Sequence, residues 1–148
     1  MAFNQSEQSI TQGRQKGFTL LEILVVLVIL GLLASLVGPQ VFKQLESSKS
    51  KTAALQIQEL SAALDLYRLE VGSYPSTSEG LNALLEAPSS ASNWNGPYLK
   101  KKVIRDDPWG MAYQYKSPGD HGDFDLYSYG ADKKEGGEGD DRDVVSWE

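Results

Sequence analysis

Two groups of residues carry chemistry that their surroundings must account for. Glu22 is the single charge in the 21-residue run FTLLEILVVLVILGLLASLVG, Phe18 to Gly38. A carboxylate at the centre of a membrane helix costs about 2.5–3.5 kcal/mol and less near an end, so Glu22 must either snorkel to water or meet a cation. The second group is the stretch that holds Asp132, Asp140, Asp141 and Asp143. Tyr127, Tyr129, Val144, Val145 and Trp147 bracket it with side chains that favour burial, so the loop is held at both ends. A held loop concentrates like charge, and a hard cation would relieve the repulsion. Ca²⁺ suits such a loop, because it takes about 6–8 oxygens from carboxylates, backbone carbonyls and water in flexible geometry, whereas Mg²⁺ demands an octahedron and keeps its waters. The spacing is not that of an EF-hand. Composition alone also accommodates a flexible, solvated acidic tail, since six of the last 32 residues are Gly.

Other reactive constellations are missing. The chain of 148 residues has no Cys and one His, which removes disulfides, thiolate zinc sites, cysteine nucleophiles and multi-His metal sites together. His121 stands in Gly119-Asp120-His121-Gly122-Asp123, a turn sequence with no second catalytic group assigned to it. Asp123 and Asp125 could suggest a hydrolytic pair, but alternation along a strand explains their spacing equally well. Gly136-Gly137-Glu138-Gly139 has neither the strand-to-helix context nor the charge of a phosphate loop. No enzyme is expected. The formal charge of −6 is uneven: residues 117–148 hold ten acids against three bases, while residues 18–116 hold nine of each. An acidic chain whose basic cluster is only Lys100-Lys101-Lys102, read as a solvated face, is not a nucleic-acid binder.

The elements that must position these groups are set by periodicity. Phe18–Gly38 as a helix is about 31 Å long, the thickness of a bilayer core, and Ile23 to Ala34 shows no polar face. Arg14 and Lys16 precede it, so the positive-inside rule leaves the N-terminus in the cytoplasm and carries the chain beyond Gly38 across the membrane. Gly38-Pro39 is a place for a kink or local melting. Ala53, Ile57, Leu60, Leu64, Tyr67 and Val71 then mark one stripe of an amphipathic helix, ended by Gly72 and Tyr74-Pro75. Ser76 to Gly80 offers caps for a short helix through Leu81, Leu84 and Leu85, stopped by Pro88. Asp107-Pro108-Trp109-Gly110 is a turn, and Met111–Tyr115 and Phe124–Tyr129 form a hairpin, with Val144–Trp147 as a third strand. The fold class is α+β: one long N-terminal helix with a small antiparallel sheet on its second half.

The string Lys16-Gly17-Phe18-Thr19-Leu20-Leu21-Glu22, followed by the apolar run and Pro39, resembles the processing signal of the type IV pilin and type II secretion pseudopilin superfamily. The resemblance implies a type IV pilin-like fold, divided into a leader (1–17), a transmembrane and fibre-core helix (18–38) and a periplasmic globular domain (39–148). It implies that a prepilin peptidase cuts after Gly17 and methylates Phe18, and that the Glu22 carboxylate meets the Phe18 amine of a neighbouring subunit.

Glu79-Gly80-Leu81, Gly96-Pro97-Tyr98-Leu99, Asp107-Pro108-Trp109-Gly110, Phe124-Asp125-Leu126, Gly130-Ala131-Asp132 and Gly136-Gly137-Glu138-Gly139 are similar to the major, or type G, pseudopilins. Asp143-Val144-Val145-Ser146-Trp147 departs from that family's usual Asp-Ile-Gly-Asn-Trp. The resemblance implies a Ca²⁺ site with Asp132 and Asp143 as side-chain ligands, carbonyls near Tyr129 and Lys134, and Asp140 or Asp141 as further candidates. It also implies self-association into a helical fibre, the inner membrane as first location, and minor pseudopilins and an inner-membrane assembly platform as partners. Two rivals share parts of the pattern: a type IV pilin or minor pseudopilin, and a monomeric membrane-anchored Ca²⁺-binding or hydrolytic domain.

Overall fold

The computed structural model describes residues 17–148. The leader expected over 1–17 therefore lies outside the described residues except for Gly17, as do Arg14 and Lys16. The side chain of Asp140 is likewise outside them. The chain divides into two units, Met1–Pro39 and Gln40–Glu148.

Helix α1 spans Leu20–Val71. It includes Pro39, so the expected local melting does not occur; one lost backbone donor does not end a helix flanked on both sides by sustained helical sequence. In the first unit every large apolar side chain from Leu20 to Val37 is exposed, and no described residue covers them. This is a helix long and apolar enough to cross a membrane.

In the second unit the expected stripe is the buried one. Ala53, Ile57, Leu60, Leu64 and Tyr67 are buried together with Ala63, and Val71 packs at the margin. The facing side of the core comes from Leu81, Ala83, Leu84, Ala91, Leu99, Tyr113 and Leu126. Gly72 closes α1 in the left-handed region at φ 99°, with its N–H on the Arg68 carbonyl at 2.8 Å, as a helix C-cap requires.

The short helix is one 3₁₀ turn, Leu81–Leu84. Its expected caps serve the preceding turn instead. The Ser76 N–H donates to the Glu79 carboxylate at 2.7 Å, the Glu79 N–H donates back to Ser76 Oγ at 3.3 Å, and Ser90 also donates to Glu79. These bonds hold the Glu79 carboxyl below the ordinary glutamate range, Ser90 first and Ser76 next.

Three strands form an antiparallel sheet in the order β1 (Gln114–Lys116), β2 (Asp125–Ser128), β3 (Val144–Val145). Register pairs Tyr115 with Leu126 and Ser128 with Val144. The first strand begins three residues later than the periodicity suggests. Met111 is taken by the preceding turn, where its N–H donates to Asp107 Oδ1 at 2.8 Å and its carbonyl accepts the Asp107 N–H at 2.7 Å. β3 places the end of the acidic loop beside its beginning, because Ser128 and Val144 lie opposite each other.

Candidate functional site: the start of the apolar helix and the acidic loop

Gly17, Phe18 and Thr19 are not helical, and α1 begins at Leu20. Thr19 is its N-cap: Thr19 Oγ1 accepts the Glu22 N–H at 3.2 Å and the Thr19 carbonyl accepts the Ile23 N–H at 3.2 Å. Thr19-Leu20-Leu21-Glu22 has the spacing of a capping box, a signal that the apolar run overshadows in the sequence. Glu22 thus stands in the first helical turn, where the macrodipole favours negative charge. Phe18 is 79% exposed, and Phe18, Glu22, Ile23, Val26 and Leu27 line an open apolar groove of about 270 Å³. Among the described residues no cation lies within ion-pair distance of Glu22. The arrangement is a single carboxylate set on an exposed apolar surface.

The acidic loop runs between β2 and β3 and is shaped by backbone positions with positive φ: Gly130 at 70°, Lys133 at 60°, Gly136 at 93°, Gly137 at 94° and Gly139 at 62°. Its two limbs touch at Gly130, where a Cβ would come within 2.8 Å of the Arg142 carbonyl, so only glycine fits. Asp143 follows Arg142 and is half-buried. Its Oδ2 accepts the Gly136 N–H at 2.9 Å, whereas its Oδ1 is buried without a hydrogen-bond partner. Burial pushes the Asp143 carboxyl above the ordinary aspartate range, and the charges of Asp132 and Glu135 add to the rise against the Gly136 N–H.

The other expected positions are less enclosed. Asp132 is exposed and its Oδ1 accepts the Lys134 N–H at 3.0 Å, an Asx turn. Tyr129 is half-buried with its hydroxyl 3.5 Å from that of Tyr127, and this contact, with burial and the nearby Glu135 and Asp143 charges, pushes the Tyr127 phenol up to about 12. Asp141 is exposed at the end of a 3₁₀ turn, Gly139–Asp141. Among the described residues no three carboxylates or imidazoles gather at metal-ligand spacing. A cation held here would depend on one or two carboxylates plus carbonyls and water. Glu135, which no motif or spacing marks in the sequence, lies between Asp132 and Asp143 and adds its charge to theirs.

His121 sits in its turn as expected, yet it is not idle. Its Nδ1 lies 3.0 Å from Asp125 Oδ2, and its ring stacks on Trp147 at 4.0 Å. Burial would raise the Asp125 carboxyl, but the His121 side chain and the Asp120 and His121 N–H groups outweigh it and leave the group low. Asp123 instead pairs with Arg68 at 3.0 Å. Asp125 opens β2 and Asp123 lies in the bend before it, and the two have separate structural partners and do not converge.

Known proteins match this chain along most of its length. The family model described as "Type II secretion system (T2SS), protein G" matches residues 40–147, and the "Prokaryotic N-terminal methylation motif" matches residues 12–38. The type II secretion system core protein G of Pseudomonas aeruginosa is 50% identical over 139 residues, covering 91% of this chain and 96% of that protein. The protein of the same name from Vibrio cholerae is 45% identical, covering 90% and 92%. Among solved structures, the major pseudopilin of the type 2 secretion system of enterohaemorrhagic Escherichia coli superposes with a TM-score of 0.59 at 30% identity, covering 70% of this chain and 90% of that one.

Proposed function

As a member of the type II secretion system protein G family, the chain is a major pseudopilin, a structural subunit of the pseudopilus and not an enzyme, and we propose how two of its sites serve that role. One observation carries the proposal above the rest: the apolar face of Leu20–Val37 lies wholly exposed and holds a single carboxylate, Glu22. Lipid covers such a surface before assembly, and the same surface of other subunits covers it afterwards.

In this reading the N-terminus starts in the cytoplasm and the Gln40–Glu148 unit lies in the periplasm. A prepilin peptidase cleaves the Gly17–Phe18 bond, which stands in non-helical backbone just ahead of the Thr19 cap. Cleavage exposes an amine at Phe18. Two opposite charges, each disfavoured in an apolar setting, stabilise each other when the Phe18 amine of one subunit meets Glu22 of the next. The pairing adds a directional contact to otherwise non-directional apolar packing, and so sets the axial register of the fibre. Minor pseudopilins and the inner-membrane assembly platform are the expected partners for initiation and growth, which pushes folded substrates through the outer membrane.

The acidic loop has a role in the same picture. Asp143 with its unpartnered Oδ1, and Asp132 whose charge bears on it, suit a Ca²⁺ ion, with carbonyls near Tyr129 and Lys134 and the Asp141 region as additional oxygen donors. A bound Ca²⁺ supplies the positive charge that lets the two limbs of the loop close at full ionisation. It would order the surface of the periplasmic unit.

Mass spectrometry of the N-terminal peptide of protein extracted from cells tests the processing step. The expected peptide begins at Phe18 and carries a methylated amine. Recovery of an intact Met1 peptide as the major species would identify a simple membrane anchor instead.

A further inference from the structure

Asp107 is a buried carboxylate, 5% exposed, that neither site described so far uses. Both of its oxygens are engaged. Oδ1 takes the N–H groups of Trp109 at 3.0 Å and Met111 at 2.8 Å, and Oδ2 takes the hydroxyl of Ser128 at 2.5 Å. Ser128 is 1% exposed, and its Oγ in turn accepts the N–H of Gly130 at 3.2 Å. One buried hydroxyl therefore joins the Asp107–Gly110 turn to the first residue of the acidic loop with left-handed backbone. Ser128 also lies opposite Val144 in the sheet, and Gly130 abuts the Arg142 carbonyl, so both limbs of the loop are referenced to the same point. Asp132 and Asp143 are each within two residues of those contacts. At its other end the turn is fastened to α1, since Trp109 Nε1 donates to Glu46 Oε2 at 2.8 Å and Glu46 also pairs with Lys49 at 3.0 Å.

We propose that Asp107 and Ser128 are positioning residues of the cation loop: they fix the exit of the chain from β2 so that the oxygens around Asp132 and Asp143 are gathered before the ion arrives. The proposal rests on the Ca²⁺ reading of the loop. Its physical basis is that hydrogen bonds from residues behind the ligands hold those ligands in place, and that ordering a loop on binding lowers affinity by the free energy of that ordering. Loss of the Ser128 hydroxyl leaves a buried oxygen of Asp107 without a donor and the Gly130 N–H without an acceptor, so the loop entry loses its anchor while its acids stay unchanged.

The test uses the full chain in detergent micelles and Ca²⁺ itself, titrated calorimetrically into wild type, Ser128→Ala and Ser128→Thr at a temperature where all three are folded. Ser128→Ala should bind about tenfold or more weakly, and Ser128→Thr, which keeps the hydroxyl, should bind close to wild type. A purely structural Ser128 would lower the melting temperature of Ser128→Ala without changing its Ca²⁺ affinity, and that result overturns the proposal while leaving the loop as a cation site. Absence of Ca²⁺ binding by wild type overturns the cation reading and the proposal with it. Hydrogen exchange on wild type gives a measurement independent of any variant. Ca²⁺ should slow exchange in peptides covering 105–112 together with those covering 126–143, and slowing confined to the loop contradicts the coupling.

Discussion

Replacing Glu22 with Ala is expected to abolish fibre formation while leaving the protein inserted and processed. Removing the carboxylate lowers the cost of insertion, because the only charge of the apolar segment is gone. The peptidase substrate, Gly17–Phe18 ahead of the Thr19 cap, keeps its sequence. The loss falls on assembly. Each incoming Phe18 amine would then enter an apolar environment with no counter-charge, and breaking a desolvated pair by removing one member costs about 3–5 kcal/mol. At about 1.4 kcal/mol per tenfold, subunit addition weakens by a hundredfold or more. The yield of sheared fibres, measured against the membrane pool of processed subunit, should fall accordingly. Glu22→Asp keeps the charge on a shorter arm and should give an intermediate yield. Fibre yield equal to wild type in Glu22→Ala would rule out the charge pair as a determinant of assembly.

Asp143→Asn should remove the response of stability to Ca²⁺ and raise the stability of the metal-free protein at neutral pH. The folded-state value of Asp143 is raised by burial, then by Asp132 and Glu135. An acid whose value rises on folding opposes folding in its ionised form: the penalty is absent below the unfolded value near 3.8, grows as pH rises towards the folded value, and is complete above it. Metal-free wild type should therefore lose stability as pH rises through the interval just above the ordinary aspartate value. Asn cannot ionise, so Asp143→Asn in chelator should melt at or above wild type at pH 7, and the two should converge in acid. On the proposed Ca²⁺ site, the ion should reverse the order. At a hundred times its dissociation constant the ion would add about 2.7 kcal/mol to wild type, on the order of 10 °C for a unit of this size. Asp143→Asn should gain little. A full Ca²⁺ shift retained in the variant would take Asp143 out of the ligand set.

Local spacing encodes the features that are legible in the residues themselves. Ala53, Ile57, Leu60, Leu64 and Tyr67 mark the buried face of α1 because helical period and burial share one register. The third strand is legible because Val144 and Val145 come after an acidic run that has to turn back. The start of β1 is not, since it is fixed by Asp107 capturing Met111, a contact that periodicity does not carry. Glu79 suggests a cap, and the structure spends it on Ser76 and Ser90. In the acidic loop, composition exposes the repulsion, but the partition among its acids depends on tertiary contacts. Asp143 is the enclosed one because Gly130 presses on Arg142 and Gly136 donates to Oδ2, neither of which is visible in a count of charges. Family membership then identifies the assembly, which no single residue could have done.

The proposed assembly depends on Glu22 of one subunit contacting the Phe18 amine of another within the fibre. Solid-state NMR on fibres grown from a mixture reads that contact, with half the subunits carrying ¹⁵N-phenylalanine and half carrying ¹³C-glutamate. Only contacts between subunits then transfer magnetisation. A cross-peak is expected between the methylated Phe18 amine and the Glu22 carboxylate, at a distance of about 4 Å or less, the range of an ion pair. Well-ordered fibres that show no such transfer would mean that the two charges do not meet.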